Sequence, residues 1–240
     1  MHYLLRKQVV LPGVILFFCV FQVNAQKEIF RRNHDDLTYY FGLTLGYNYS
    51  YLHIDKSALF LNSDTILSAE PGSSGGISMG LMATGRLSDH FQVRANPQLI
   101  IGGSKYITYT LNKTKPGEAA IQKQILPSTI VSFPFQLKFN SDRIGNFRTY
   151  VLGGIKFDTD LSSNSAARNV DDIIKLKKDD IGFELGLGFN FYLPFVTISP
   201  EIKISNGLTD IHQRDPNLKY STALGQILSR VVVFSIHFED

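Results

Sequence analysis

Cysteine is almost absent from this sequence of 240 residues. The single one, Cys19, falls in a leading segment with a basic start, an apolar run over residues 9–21 and small or compact residues at 23–25. That arrangement is typical of a secretory signal peptide, and we predict cleavage after Ala25. The mature chain would then have no cysteine, which excludes a disulfide, a thiol nucleophile and a cysteine metal site.

Long apolar runs are also lacking. After residue 25 no stretch approaches the roughly 18 continuous apolar residues that a membrane-spanning helix needs. The mature chain is therefore predicted to contain no transmembrane helix. The alternative of a retained anchor helix in the leading segment is disfavoured, because its apolar run is short and contains Pro12 and Gly13.

An excess of one charge sign is missing as well. The sequence has 24 lysines and arginines against 21 aspartates and glutamates. Loss of the signal peptide removes Arg6 and Lys7 and no acidic residue, so the mature charge is 22 minus 21, or +1. A charge this small is no electrostatic footprint for nucleic acid, and no nucleic-acid partner is predicted.

Motifs of catalysis and metal binding were sought and not found. The five histidines after residue 25, at positions 34, 53, 90, 212 and 237, have no metal-ligand spacing, and no Gly-x-Ser-x-Gly elbow occurs. The stretch from Gly102 to Lys105 lacks the upstream glycine of a phosphate-binding loop, and we interpret it as a kink in a strand. We therefore predict no enzymatic activity, no catalytic, cofactor-binding or metal-binding residue, no cofactor and no small-molecule substrate.

What the sequence has instead is alternation. From Ile181 to Leu193 every second residue is apolar, and the residues between them are small or polar. Successive side chains of a β-strand point to opposite faces, so this is a strand of 13 residues with one wholly apolar face. In a water-soluble sandwich that face would point to the core, whereas in a membrane barrel it would point to lipid.

A second alternating stretch, Tyr39 to Leu52, favours lipid. Its apolar row has leucines in the middle and aromatic residues at both ends: Tyr39, Phe41, Leu43, Leu45, Tyr47, Tyr49 and Tyr51. Aromatic rings at the ends of an apolar band are typical of membrane proteins, because an amphipathic ring is well placed at headgroup depth.

Six further stretches alternate in the same way. The eight predicted strands cover about residues 39–52, 76–87, 90–110, 127–140, 148–158, 181–193, 197–205 and 228–238. The connections between them are long, short, long, short, long, short and long, with long loops at 53–75, 112–124, 161–180 and 208–226. A short surface helix near residues 170–177 is an alternative for part of the third loop.

Loop lengths that alternate so regularly are the rule for outer-membrane barrels, with long loops outside the cell and short turns in the periplasm. We therefore predict an all-β fold, an eight-stranded antiparallel up-and-down transmembrane barrel of the OmpA/OmpX type, in the outer membrane of a Gram-negative cell. A soluble sandwich gives no reason for this alternation. The predicted domains are the signal peptide at 1–25, a short solvated periplasmic arm at 26–37 and the barrel at 38–240.

Four positions fit this barrel poorly. Pro97, Pro134 and Pro200 fall inside strands, where proline removes a hydrogen-bond donor from the ladder, and we expect bulges near the rims to accommodate them. Arg230 falls on the lipid side of the last strand, so we expect either a position near the outer rim or a register shift in that strand.

Charged residues concentrate on the inward side of the strands. The set comprises Arg94, Lys138, Arg148, Lys156, Asp158, Glu184, Glu201 and Lys203. Buried charges are stable only when paired, and an eight-stranded barrel has an interior just wide enough for side chains to fill. We predict a packed salt-bridge network in the lumen, structural in role and centred on Glu184, Glu201 and Lys203.

Some eight-stranded barrels act on lipids with a histidine and a serine on the outer surface. In this sequence Ser235 and His237 share the inward face of the last strand. Their position argues against a lipid-modifying enzyme.

Two stretches resemble the PorT family of outer-membrane proteins. The first runs from Ile198 to Leu208 and continues into the loop Arg214-Asp215-Pro216-Asn217-Leu218 and the closing Ser229-Arg230 strand; the second joins Phe133 to Lys138 with Arg148 to Gly154. The resemblance spans about residues 38–238. The positions that match the family pattern are Pro200, Glu201, Lys203, Gly207, Asp215 and Pro216.

This resemblance implies membership of the type IX secretion and gliding-motility machinery of Bacteroidota-type bacteria, in which such barrels are needed for export of cargo proteins, and it implies no catalytic residues. We predict an accessory component that contacts other secretion components through its loops or periplasmic turns, with Arg214, Asp215, Pro216 and Asn217 as a candidate contact. Its partners would be outer-membrane lipid and other secretion components. The alternative is a stand-alone barrel that binds an extracellular ligand or surface through its long loops.

Overall fold

The computed structural model describes residues 28–57, 60, 66–112, 119–163, 174–214 and 219–240. The predicted signal peptide with its cleavage after Ala25 lies outside these residues, as do Asp215, Pro216 and Asn217. Among the helices in these ranges, none has the length and apolar character needed to cross a membrane.

Strands dominate the described part of the chain. In chain order the elements are a 3-10 helix (Arg32–Asp36), β1 (Tyr39–Lys56), β2 (Ile66–Gly72), β3 (Ser74–Arg86), β4 (Phe91–Ala95), β5 (Gln98–Gly102), β6 (Lys105–Leu111), β7 (Ile121–Leu126), β8 (Thr129–Asn140), β9 (Phe147–Asp160), β10 (Lys175–Leu176), β11 (Asp179–Tyr192), β12 (Thr197–Gly207), β13 (His212–Gln213), a helix α1 (Lys219–Thr222) and β14 (Leu224–Glu239). Residues 175–176 are extended, so the alternative of a helix does not hold there.

Eight long strands close into a barrel. Neighbours follow the order β1, β14, β12, β11, β9, β8, β4 and β3, and β3 pairs with β1 again. β4 and β5 are two parts of one strand, because both pair with β3 on one side and β8 on the other. Every pairing in the ring is antiparallel, which confirms the predicted eight-stranded antiparallel barrel.

The strands are staggered round the ring. The stagger is seen by starting at Tyr51 on β1 and moving to the directly opposed residue on each strand in turn, through Arg230, Asn206 and Phe183. After one full turn of the ring this path reaches β1 again at Phe41, which is ten residues nearer the periplasmic end. Closure of tilted strands requires such a shear. Two directly opposed residues on neighbouring strands therefore lie at different depths in the barrel. The difference is roughly the rise of one residue along a strand.

The barrel has its apolar side chains outside and its polar side chains inside. On β1, Leu43 is 56% exposed and the next residue, Thr44, is 1% exposed. The burial pattern of β11 alternates in the same sense, with Leu185 and Leu187 exposed and Glu184 buried. This is the inverse of a water-soluble protein and is the arrangement that a lipid environment selects.

The strand prolines are accommodated without bulges. The ladder that β4 and β5 form with β8 has a gap of two residues, in which Pro97 lies opposite Phe133 and Asn96 lies opposite Pro134. The register of the pairing is the same on both sides of this gap. Pro200 falls in a similar gap between β11 and β12. The expectation of bulges was therefore wrong, because a missing N–H donor removes ladder bonds locally and does not require an extra residue.

The long connections add a layer of structure, here called the head, at the end of the barrel that we predict to be extracellular. The opposite end is the predicted periplasmic end. It contains a three-stranded sheet in the order β2, β6, β7 and the pair of β10 with β13. The predicted loops at 53–75 and 112–124 thus include strands, and the predicted third strand is wrong beyond residue 102. Gly102 and Gly103, with φ of 82° and 72°, turn the chain out of the barrel there, in a conformation that glycine adopts without strain.

An apolar core fills the head. Its buried side chains come from strands, loops and α1: Leu52, Phe60, Ile66, Ala69, Ile107, Tyr109, Leu111, Leu126, Ile174, Leu176, Ile211, Tyr220, Ala223, Leu224 and Ile227. The rings of Tyr109 and Tyr220 pack with centroids 4.7 Å apart. The described part of the chain thus has a polar barrel interior below and a conventional apolar core above.

The N-terminal residues pack against the periplasmic end of the barrel. His34 is 8% exposed, and its Nε2 lies 3.0 Å from the carbonyl oxygen of Asp240. Arg31 donates to the carbonyl oxygen of Glu239, and Asn146 Oδ1 accepts from the amide of Phe30. The arm is therefore docked at these points, because backbone groups at the barrel rim provide partners for its polar side chains. Its other residues Glu28, Ile29, Arg32, Asn33, Asp36 and Leu37 are exposed to solvent, as expected.

Candidate functional site in the barrel lumen

The alternation of the barrel strands turns the predicted charged set inward. Lys138 is 0% exposed, Arg94 and Lys203 are 1% exposed, and Glu184 and Glu201 are 4% exposed. These residues come from strands β4, β8, β11 and β12. Each is surrounded by protein, so its neighbours must supply the hydrogen bonds that water would otherwise provide.

Arg94 and Glu201 meet at the centre of the lumen. Nη2 of Arg94 lies 2.6 Å from Oε2 of Glu201, and both side chains are fully buried. The hydroxyl of Tyr150 donates to the same carboxylate oxygen at 2.7 Å. On its other oxygen, Glu201 is 3.4 Å from Nε2 of His237. One carboxylate thus joins residues from β4, β9 and β14.

Lys203 links this carboxylate to a second one. Its Nζ lies 3.6 Å from Oε1 of Glu201 and 3.7 Å from Oε2 of Glu184. Glu184 Oε2 also accepts from Nε2 of Gln136 at 2.6 Å, and Gln136 Oε1 accepts from Nε of Arg94 at 2.7 Å. The three residues that we predicted as the centre are therefore within ion-pair distance, and Gln136 connects them back to Arg94.

Lys138 belongs to an adjoining group nearer the periplasm. Its Nζ lies 3.9 Å from Oε1 of Glu239, donates to Oδ1 of Asn190 at 3.4 Å and is 3.9 Å from the centroid of the Tyr150 ring. Asn190 Oδ1 also accepts from Ser199 Oγ at 3.0 Å. Tyr150 thus touches both this group and the Arg94 group.

Lys156 and Asp158 form a separate pair nearer the extracellular end. Nζ of Lys156 lies 2.5 Å from Oδ2 of Asp158, whose other oxygen accepts from Ser132 Oγ at 2.5 Å. Lys105 and Asp180 border the same small cavity of about 30 Å³ below the head. Burial lowers the pKa of Lys105, and the nearby Lys156 ammonium lowers it further.

Arg148 is brought to the periplasmic rim and not into the network. Its Nη1 lies 3.2 Å from Oδ1 of Asp35, a residue of the 3-10 helix. The same carboxylate lies 2.8 Å from Nη1 of Arg143 and accepts from the Tyr192 hydroxyl at 3.2 Å. Arg148 also donates to the carbonyl oxygens of Ser141 and Asp89. The predicted set of eight therefore divides into a central group, an extracellular pair and a rim arginine.

Several contributors were missing from the predicted set, among them Asp35, Tyr150, His237 and Glu239. Tyr150, His237 and Glu239 lie at inward-facing positions of β9 and β14. Extending the alternation of β14 from His237 to the next inward position, Glu239, would have found the partner of Lys138. No sequence signal marks Asp35, because it precedes the first strand and reaches the lumen end only through the fold of the arm.

The predicted contact loop begins at the surface of the head. Arg214 follows β13, its side chain is 69% exposed, and its Nη2 lies 3.6 Å from Oδ2 of Asp210. Two residues earlier, His212 is buried and contacts Ser221 Oγ at 2.9 Å. Burial lowers the pKa of His212, so this part of the head favours the neutral imidazole.

The chemistry available in these groups is that of ion pairing. Within the described ranges, no group of three or more histidine, cysteine, aspartate or glutamate side chains could hold a metal ion. His237 contacts Thr44 Oγ1 at 2.8 Å and Ser235 Oγ at 3.2 Å, but all three side chains are enclosed in the lumen. Arg94 and Glu201, reaching from different walls, close the lumen at their level.

An apolar outer belt, a closed antiparallel ring and a lumen filled with paired charges together define an outer-membrane β-barrel. Residues 24–213 match the family model described as outer membrane protein beta-barrel domain, and the chain belongs to that family. No curated protein matches the sequence.

Three solved outer-membrane proteins are similar to this chain. Neisserial surface protein A is 12% identical, with 82% of this chain and 95% of that chain covered and a TM-score of 0.41. OprG from Pseudomonas aeruginosa is 16% identical, with 82% and 94% covered and a TM-score of 0.39. Ail of Yersinia pestis, solved in complex with the heparin analogue sucrose octasulfate, is 9% identical, with 85% and 100% covered and a TM-score of 0.37.

Proposed function

We propose that this outer-membrane barrel is a non-enzymatic accessory of type IX secretion that acts by contact with other proteins and not as a conduit. The observation on which the contact role rests is the closure of the lumen by Arg94 and Glu201, 2.6 Å apart. A side-chain-filled lumen has no room for a folded or extended cargo chain. The two ends of the barrel are then the surfaces available for function.

The resemblance to the PorT family supports the pathway. Of the six matching positions, Glu201 and Lys203 lie in the central ion-pair group, and Pro200 and Gly207 belong to the same strand, β12. These four serve the barrel itself. The other two, Asp215 and Pro216, follow directly after the exposed Arg214. This division favours the loop after β13 as the contact with other secretion components.

Export of the protein would include removal of the signal peptide after Ala25. The basic start and the apolar run of the leading segment support this step. Mass spectrometry of the mature protein from outer membranes tests it, with Gln26 as the expected first residue.

Deletion of the gene tests the secretory role. We expect the deletion strain to retain cargo proteins in the periplasm and wild-type complementation to restore their release into the medium. Complementation with Arg214→Ala should restore less release, because it alters the exposed start of the contact loop. Lys123→Ala, an exposed cation on β7 of the other head sheet, is the matched control and should restore release fully. Normal secretion in the deletion strain would refute the proposal.

A stand-alone barrel that binds an extracellular ligand or surface is the second candidate. The apolar core of the head favours it, because a packed core holds the surrounding surface in one shape. Affinity purification of the tagged protein from detergent-solubilised outer membranes separates the two candidates. Co-purification of secretion components supports the accessory role, whereas recovery of the barrel alone, together with normal secretion in the deletion strain, supports the second candidate.

A further inference from the structure

One cationic side chain lies on the outward, lipid-facing side of a barrel strand. Arg230 on β14 is directly opposed to Tyr51 on β1 and to Asn206 on β12, and it shares its parity with the exposed Phe234 and Ile236. Nη1 of Arg230 donates to Oδ1 of Asn206 at 3.3 Å. Its Nε has no hydrogen-bond partner, and no described residue forms an ion pair with the guanidinium.

The depth of Arg230 matches lipid headgroups. Its neighbour Tyr51 is the last of the three tyrosines that end the outward row of β1 on the extracellular side, after Tyr47 and Tyr49. Tyrosines at such a boundary mark the membrane interface. A charged side chain that faces lipid costs least at this depth, and a guanidinium there meets the phosphates of the outer leaflet.

The nearest other charges on this side do not neutralise Arg230. His53 and Asp55 lie further out along β1, and His53 Nε2 is 3.8 Å from Asp55 Oδ1. Both side chains are at least half exposed to solvent. The described residues show no contact between the exposed Asp55 carboxylate and Arg230, so Arg230 remains available to an anion from outside the protein.

An apolar groove of about 630 Å³ crosses β14 and β12 and continues onto β1, β3 and β11, on the periplasmic side of Arg230. Phe234 and Ile236 of β14 and Pro200 and Ile202 of β12 line it. Phe234 is four residues from Arg230, which is about 13 Å along a strand. The hydrocarbon of one leaflet is about 15 Å thick, so the groove lies at the depth of acyl chains whose headgroup is level with Arg230.

We propose that Arg230, Asn206 and this groove form a binding site for a phosphate-bearing lipid of the outer leaflet. The terminal guanidinium nitrogens bind the phosphate, since Nε is buried, Asn206 Oδ1 orients the guanidinium, and an acyl chain lies in the groove. The site depends on the barrel and its membrane, and it does not depend on the proposed role in secretion.

Native mass spectrometry of the full mature barrel in detergent tests the site. The probes are lipid A, which has phosphomonoesters, phosphatidylglycerol, which has a phosphodiester, and diacylglycerol, which has no phosphate. We expect one phosphate-bearing lipid to bind tightly and diacylglycerol to bind weakly. Tighter binding of lipid A or of phosphatidylglycerol identifies the source of the phosphate, and either result supports the site.

Arg230→Gln should weaken binding of the preferred lipid about tenfold, because one charge-assisted contact is lost. Lys123→Gln removes an equal charge from the exposed head and should leave binding unchanged. Ile202→Phe, which fills the groove, should also weaken binding, whereas Ile155→Phe, an outward position on β9 away from the groove, should not. Each variant is first shown to be folded by its heat-dependent shift in gel mobility.

Two results would overturn the site. The first is equal lipid affinity for Arg230→Gln and the wild type. The second is a co-purifying membrane protein that occupies the groove and that added lipid does not displace, since a protein partner and not a lipid would then cover this face.

Discussion

Arg94 and Glu201 bridge the barrel from opposite walls. Their strands, β4 and β12, are four positions apart in either direction round the ring of eight, yet Nη2 of Arg94 lies 2.6 Å from Oε2 of Glu201. Tyr150, Lys203 and His237 contact the same carboxylate. This one carboxylate therefore ties together the side chains that occupy the middle of the lumen.

Glu201→Gln should strongly destabilise the barrel. The neutral amide would leave Arg94, Lys203 and their neighbours without their counter-charge, and breaking a buried pair in this way costs about 3–5 kcal/mol of unfolding free energy. Urea unfolding in detergent micelles measures the change. Glu70→Gln, at an exposed position on β2, is the control, with an expected change within about 0.5 kcal/mol. Equal midpoints for Glu201→Gln and the wild type would contradict the central role of this carboxylate.

The lumen is expected to block ion flow until the bridge is removed. In planar bilayers the wild-type barrel should give no steady current, whereas a double variant with Arg94→Ala and Glu201→Ala should conduct. The matched control is Lys156→Ala with Asp158→Ala, which removes a charge pair contained within β9 and leaves the bridge in place. A conducting wild type, or a silent bridge variant that is folded, would count against closure by this pair.

Asp35→Asn should release the N-terminal arm. The Asp35 carboxylate lies 2.8 Å from Arg143 and 3.2 Å from Arg148, and removal of its charge weakens both ion pairs. Hydrogen–deuterium exchange of residues 28–37 should therefore rise. Asp36→Asn is the control, because the Asp36 side chain is 84% exposed. Its Oδ1 lies 3.7 Å from Nη1 of Arg86. Similar exchange in the two variants would show that the charge of Asp35 is not needed to hold the arm.

Docking of the arm should weaken in acid. Burial, and after it the Arg31 guanidinium, lower the pKa of His34, against the opposing effect of Glu239 and the Asp240 carbonyl. A released arm, with the ordinary histidine pKa of about 6.5, then binds more protons than a docked arm, so docking is fully stable above about pH 6.5 and weakens as the pH falls below it. Intrinsic amide exchange slows as the pH falls, so the measurement is protection relative to the intrinsic rate. Protection of residues 28–37 should decrease between about pH 7 and pH 5.

Substitution of His34 separates its titration from that of other groups. His34→Asn should flatten the pH dependence of arm exchange, whereas His90→Asn, a half-buried histidine beside another periplasmic turn, should leave it unchanged. An unchanged pH profile in His34→Asn would assign the titration to another residue.

Gly154→Ala should destabilise the barrel through overpacking. A methyl group at this position would collide with the carbonyl oxygen of Phe135, on the neighbouring strand β8. Overpacking of this kind costs about 1–3 kcal/mol. Gly85→Ala is the control, since its nearest neighbour, a Val93 methyl, would be 3.5 Å away in ordinary contact. Equal urea midpoints for the two glycine variants would show that β8 can shift to make room.

Alternation along the sequence was sufficient to assign the two faces of the strands. Leu185 and Leu187 point outward and Glu184 inward as their parity indicates, because side-chain direction in a strand is a local property of the backbone. The number of barrel strands followed from the same pattern. The prediction from alternation was wrong beyond Gly102. There β6 continues the alternating pattern, but it belongs to the three-stranded sheet of the head and not to the barrel.

The sequence by itself determined the membrane-facing surface, the number of strands and the side of each strand that faces the lumen. Only the tertiary structure decided which charges meet: Arg94 reaches Glu201, Lys156 pairs with Asp158, and Arg148 binds Asp35 of the arm. The physical reason is that alternation along a strand determines which face a side chain lies on but not its depth in the barrel. Depth depends on the register of all eight pairings together, whose sum is the ten-residue shear between Tyr51 and Phe41.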